Sequence, residues 1–191
     1  MFQNSDVVKR IFYINVLVFL FTFVSALLGS PADYLALYPI DDKHFHIYQF
    51  VTSMFTHANI PHLLFNMLAL LSFGPDVENQ LGNRKFTLFY FIMGLVASFA
   101  QLLLTTGPMV GASGAIFGLL IYFTLLNPDT KLSLFLLPIH FKAKYFAIAI
   151  VILELVLALI GGSNIGHWAH LGGALAGFVL YKLENKFQFS I

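Results

Sequence analysis

The sequence predicts an all-α fold, a polytopic membrane bundle of six transmembrane helices built as a single domain over residues 1–191. Three observations predict it. Of 191 residues, 59% are apolar and only 10% charged, where an average soluble domain carries ~25% charged residues. The mean hydropathy is +0.83, which makes lipid the main solvent and argues against a water-soluble, disordered or repeat architecture. The apolar residues also fall into six long stretches separated by Gly, Pro, Asn and Ser.

The first stretch, Ile11 to Leu28, follows Lys9 and Arg10 and ends at Gly29-Ser30-Pro31. A charged start and a small-residue end are features of secretory leaders, but this run of 18 residues exceeds their usual ~7–15, so an uncleaved helix is expected. The second runs from about Ile60 to Phe73 and the third from Phe86 to Leu104, with Gly82-Asn83 as the breaker between them. Gly107-Pro108 precede the fourth, Ser113 to Leu126, which Asn127-Pro128 end. The fifth, Phe146 to Ile160, stops at Gly161-Gly162-Ser163-Asn164, and the sixth runs from Ile165 to about Leu183.

Lys and Arg are retained on the cytoplasmic side of membrane proteins. With the N-terminus inside, the inner segments hold Lys9, Arg10, Arg84, Lys85, Lys131, Lys142, Lys144, Lys182 and Lys186, leaving only Lys43 outside. Both termini are therefore expected in the cytoplasm. The formal net charge of +1 leaves no basic surface for nucleic acid. The absence of Cys excludes disulfides, thiolate metal sites and Cys nucleophiles.

Three polar clusters interrupt this background near the outer ends of spans: His57-Ala58-Asn59-Ile60-Pro61-His62 with Asn66, Gly111-Ala112-Ser113-Gly114, and Gly166-His167-Trp168-Ala169-His170-Leu171-Gly172-Gly173. Polar groups are costly in lipid and so mark function or buried hydrogen bonding. At ~1.5 Å per residue from each span's cytoplasmic end, Ser113 lies roughly 20 Å up, His170 roughly 18 Å, and His62 and Asn66 roughly 21 and 15 Å. All four share one layer, below the outer surface of a ~30 Å hydrocarbon core. Gly114 and Gly118 in the fourth span and Gly173 and Gly177 in the sixth have the small-xxx-small spacing that lets helices touch. Packing without chemistry would explain the glycines alone.

A serine hydroxyl becomes nucleophilic when a neutral imidazole takes its proton, which gives Ser113 and His170 complementary roles. His62 and Asn66, at i and i+4 on one helical face, and the Ser113 backbone N–H at a helix start suit an oxyanion hole. With no Asp or Glu in the clusters, a Ser-His pair is expected rather than a triad.

These residues carry a resemblance to the rhomboid intramembrane serine proteases, in their minimal six-helix form, over nearly the whole chain. It rests on Gly111-x-Ser113-Gly114 opening the fourth span, His57-x4-His62-x3-Asn66 entering the second, and His170-Leu171-Gly172-Gly173 in the sixth. Glu78, in Gly74-x3-Glu78-x3-Gly82, matches the family's second inner loop, where the resemblance implies a structural role. The resemblance implies that Ser113 is the nucleophile and His170 the general base, with His62, Asn66 and the Ser113 N–H as oxyanion hole. His57, Gly111, Gly114 and Phe117 would support them. It further implies cleavage of peptide bonds in or beside the transmembrane segments of membrane-protein substrates, with no cofactor and no metal, and a membrane like the bacterial plasma membrane. A silent relative acting as chaperone or scaffold for client helices is the alternative, although such relatives usually lack the Ser or His present here. Two departures stand out: Tyr48-Gln49 replaces the family's Trp-Arg pair, and Phe117 stands where many members have Tyr.

Glu154, roughly 15 Å up the fifth span, is expected to be a neutral, hydrogen-bonded structural residue rather than one that orients His170 or gates the site. His167, His44, His46 and His140 are expected to be structural or solvated. A zinc site from His57, His62, His167 and His170 is disfavoured by the absence of an HExxH arrangement. A serine buried in the bilayer can attack only an unwound backbone, so substrate helices are expected to be unstable near their outer ends.

Overall fold

The computed structural model describes residues 6–29, 32–133, 140–162 and 165–187. It is a helical membrane bundle: α1 (Asp6–Leu27), a short α2 (Gln49–Thr52), α3 (Ile60–Leu104), α4 (Ser113–Leu126), α5 (Ala143–Ile160) and α6 (His167–Phe187). By length and composition α1, α3 and α5 are able to cross a membrane, and α4 is a shorter apolar helix.

The expected second and third spans are the two arms of α3. Gly82 breaks it, with φ 74° and ψ 163°, a backbone conformation that glycine adopts without a Cβ penalty. Each arm, 60–81 and 83–104, has 22 residues, roughly 33 Å of helix and enough to cross the hydrocarbon core. The second arm runs back toward the start of the first. Gln101 meets the first turn of α6, accepting a hydrogen bond from the Ala169 N–H at 3.2 Å, while Lys85 pairs with Glu184 near the other end of α6 at 2.7 Å.

The first arm continues as helix to Leu81, so Glu78 lies in a helix and not in the inner loop expected for it. Its carboxylate accepts hydrogen bonds from the Val7 and Val8 N–H groups, both at 2.9 Å. The first four N–H groups of a helix have no partner of their own, and the positive end of the helix dipole favours an anion. Glu78 thus caps α1 from a distant helix, each bond to a charged acceptor being worth about 1.5–3 kcal/mol. Gly74, one turn earlier, makes room: a Cβ there would lie 2.8 Å from Val8 Cγ2.

The prediction that the fourth and sixth spans touch holds at atomic detail. A Cβ added at Gly173 would fall inside the Gly114 carbonyl, and one at Gly177 inside the Gly118 carbonyl. One at Gly118 would meet the Gly173 oxygen at 2.9 Å. Beneath this joint lies the core of the bundle, where Phe86, Tyr90, Met93 and Leu119 are fully buried. By contrast, α5 buries only Ala143, Ala147 and Glu154.

One short β element accompanies the helical bundle. Between α4 and α5 two short strands, β1 (Lys131–Ser133) and β2 (His140–Lys142), pair antiparallel with Ser133 opposite His140, so His140 is in a strand. Within this connection Asp129 lies 2.8 Å from Lys144 Nζ and 2.9 Å from Lys142 Nζ, and these ammoniums hold its carboxyl down to about 2. Of the breaker at the end of the fifth span, Gly161 and Gly162 have φ of 71° and 80° and end α5 after Ile160; Ser163 and Asn164 lie outside the described residues.

The segment between α1 and α3 is tied down by Gln49, which is fully buried. Its side-chain amide donates to the carbonyls of Tyr34 (3.1 Å) and His44 (2.8 Å) and accepts from the N–H groups of Tyr38 (3.3 Å) and His46 (3.1 Å). A neutral amide with two donors and two acceptor sites thus anchors the loop that departs from the family pattern at Tyr48-Gln49. His46 stacks on Tyr48, with ring centroids 5.2 Å apart.

Candidate active site

Ser113 is the first residue of α4, a helix of 14 residues. Roughly 21 Å long, it is shorter than a hydrocarbon core of ~30 Å. The irregular chain before it is pinned at two points. Leu37 and Met109 exchange backbone hydrogen bonds of 2.9 Å each, and the Gly111 N–H donates to the Ser53 carbonyl at 2.8 Å. Gly111 and Ala112 are buried.

At Gly111 φ is +124°, and a Cβ there would lie 2.7 Å from His62 Nε2 and 3.7 Å from Ser113 Oγ. Glycine is required twice, for the conformation and for the approach of the His62 ring. His62 and the nucleophile candidate thereby face the same small volume. Asn59 starts α3 as its N-cap, its side chain accepting from the His62 N–H at 2.9 Å. One turn on, the buried Asn66 donates one amide N–H to the His62 carbonyl at 3.0 Å and has a second to offer. His57 is buried edge-on against His62, with centroids 5.0 Å apart.

His170 enters from α6. Its Nε2 lies 2.8 Å from Ser113 Oγ, hydrogen-bonding distance between a hydroxyl and a ring nitrogen. The ring is held flat against Phe117, one turn along α4 from Ser113, with centroids 4.2 Å apart and planes 6° from parallel. Phe117, which stands where many family members have Tyr, makes this stack without a hydroxyl. Gly114 sets the backbone spacing: a Cβ there would overlap that of Ala97 and lie 3.5 Å from the Ala169 carbonyl. Every expected site residue therefore falls in one neighbourhood. His62, Asn66, Ser113 and His170 line one cavity of about 1050 Å³ that also reaches Phe146 and Ile150 of α5.

Two features differ from expectation. Glu154, read from its depth as structural, has Oε2 2.6 Å from His167 Nδ1 and 3.0 Å from His170 Nδ1, so a carboxylate does accompany the Ser-His pair. His167 is buried in the same group. Of the four histidines considered as zinc ligands, His167 and His170 thus sit with Glu154, while His57 and His62 pair with each other. Gln101 was not singled out from the sequence, yet it fixes the first turn of α6 through Ala169, beside His170. A lone Gln near a helix end gave no signal, because its partner is a backbone group 68 residues away.

A neutral imidazole 2.8 Å from a serine hydroxyl is able to take its proton. Donors converging from His62, Asn66 and a helix N-terminus suit a developing negative charge. Residues 44–185 match a family model described as Rhomboid domain. The chain is 35% identical over 133 residues to "Presenilin-associated rhomboid-like protein A, mitochondrial" of Danio rerio, covering 66% of this chain and 35% of that protein. It is 36% identical over 138 residues to "Rhomboid protein 1, mitochondrial" of Saccharomyces cerevisiae, covering 69% and 40%. It is 37% identical over 134 residues to "Rhomboid protease GluP" of Bacillus subtilis, covering 69% and 25%. The matched region thus spans between a quarter and two fifths of the length of these relatives.

Proposed function

Since the chain belongs to the rhomboid family, we propose that it is an intramembrane serine endopeptidase, a single catalytic domain hydrolysing peptide bonds in or next to the transmembrane segments of membrane proteins. The observation that carries this reading is the 2.8 Å contact between Ser113 Oγ and His170 Nε2, made in a cavity that His62 and Asn66 also line. Ser113 Oγ attacks the scissile carbonyl carbon as its proton passes to His170 Nε2. The resulting oxyanion is held by the Ser113 N–H and the His62 and Asn66 side chains. As the C–N bond breaks, His170 returns the proton to the leaving amine. A water, deprotonated by His170, then attacks the acyl-serine ester, the carboxylic product leaves, and Ser113 regains its proton.

Unwinding is the step that selects substrates. A backbone carbonyl inside an intact helix is hydrogen-bonded and shielded, so a segment with Gly or Pro near its outer end reaches the cavity at lower cost than a uniform Leu helix. In proteoliposomes a Gly/Pro-containing model segment is expected to be cut at least tenfold faster than a poly-Leu segment of equal length, with the cut mapped by mass spectrometry to the unstable stretch. Equal rates would overturn the unwinding step.

We also propose that both termini face the cytoplasm across a bacterial plasma membrane. The excess of positive charge in the Asp129, Lys142 and Lys144 cluster on the connection after α4 supports a basic side there. With no Cys in the chain, single-cysteine variants report sidedness directly. In intact cells a membrane-impermeant maleimide is expected to label Lys43→Cys and to spare Asp129→Cys until the cells are permeabilised; the reverse pattern would invert the topology.

A further inference from the structure

Beyond its first turns, α5 turns one side chain fully inward, and that side chain is the carboxylate of Glu154. Its neighbours Leu153, Leu155 and Val156 are exposed on the outside of the bundle. An inward carboxyl at membrane depth persists only with partners. It finds them on α6, where His167 and His170 lie one turn apart: Oε2 is 2.6 Å from His167 Nδ1 and 3.0 Å from His170 Nδ1. The His167 contact is the well-formed hydrogen bond, whereas the approach from His170 is out of line. On its other edge His170 presents Nε2 to Ser113 Oγ.

A neutral imidazole has one N–H, and only the tautomer with the proton on Nδ1 leaves a lone pair on Nε2 for the serine proton. A carboxylate beside Nδ1 favours that tautomer, because the other would set two lone pairs against each other. The same oxygen lies next to the imidazolium formed when Ser113 gives up its proton. His167 holds the carboxylate in this place by its own short bond, and Phe117 prevents the His170 ring from tilting away. The cluster of Glu154, His167 and His170 has the spacing of a metal group. However, ligands of one tetrahedral ion at ~2.0–2.1 Å lie about 3.3 Å apart, and 2.6 Å is a direct hydrogen bond.

We propose that Glu154 is a positioning residue for catalysis, completing a Ser113-His170-Glu154 arrangement across three helices, with His167 as its brace. The inference rests on the endopeptidase reading. The proton moves from Ser113 Oγ to His170 Nε2 and on to the leaving amine; Glu154 accepts none and acts by fixing the ring and its tautomer.

The test compares wild type with Glu154→Gln and Glu154→Leu in proteoliposomes. Labelling by a fluorophosphonate, carried to completion, counts competent sites, so turnover is expressed per site whatever fraction folds. Per-site kcat is expected to fall about 10²-fold in both variants, with KM within about threefold. A role in folding alone would lower the number of sites and leave per-site kcat unchanged. Nitrogen NMR of His170, assigned against His170→Asn, is expected to show the Nδ1-protonated ring in wild type and loss of that preference in Glu154→Leu. Per-site kcat within threefold of wild type in both variants overturns the positioning role and leaves the Ser-His pair standing. Wild type that neither labels nor cuts overturns the endopeptidase reading and this inference with it.

Discussion

Cleavage of a reconstituted transmembrane substrate is expected to fall at least about 10⁴-fold in both Ser113→Ala and His170→Ala, with the double variant no worse than either single one. Nucleophile and base act as a unit, so removing one idles the other. The residual rate in each variant is what the oxyanion donors and substrate binding supply unaided. Neither change should unfold the protein. Ser113 is only half-buried at the start of α4, and deleting His170 leaves the shorter Glu154-His167 bond in place. Thermal unfolding in detergent within a few degrees of wild type establishes that the silence is chemical. Cutting that persists in either folded variant would remove that residue from the mechanism.

Gly173→Val is expected to lose about 3 kcal/mol or more of stability and nearly all fluorophosphonate-reactive sites. The added Cβ has nowhere to go, since it falls inside the Gly114 carbonyl, and backbone cannot rotate aside as a flexible side chain does. The helices must part, and they part next to Ser113 and beneath His170, so stability and reactivity fall together. Leu175→Val is the control on the same helix. Leu175 is 61% exposed, and a surface change of this size is expected to stay within about 0.5 kcal/mol. Denaturation titration of the two variants reads the contrast directly; a Gly173→Val protein as stable as wild type would contradict the close contact.

The parts of the fold that lipid dictates were legible in the sequence. Apolar runs marked the spans, Gly82 marked the reversal in α3, and depth arithmetic grouped Ser113, His170, His62 and Asn66, which line one cavity, because helical rise is nearly constant. The same arithmetic put Glu154 close to that group but could not say which way it faced. The fifth span is apolar on all sides, so no polar stripe orients it. Gln49 and Gln101 were illegible as anchors for a different reason: they bond mainly to backbone carbonyls and N–H groups of other segments, and every residue type presents those alike. The β1–β2 pair escaped notice because its strands are three residues long and largely exposed, with no alternation to read.

The contact between α4 and α6 also constrains how such a chain drifts over generations. Every missense change at a glycine codon introduces a Cβ, so positions 173 and 177 have no tolerable neighbour one step away. The lipid-facing positions of α5 have many, since one aliphatic residue serves there as well as another. Variation should therefore accumulate on the outside of the bundle while the distance between Ser113 and His170 is handed down unchanged. What is inherited at that joint is an absence of atoms.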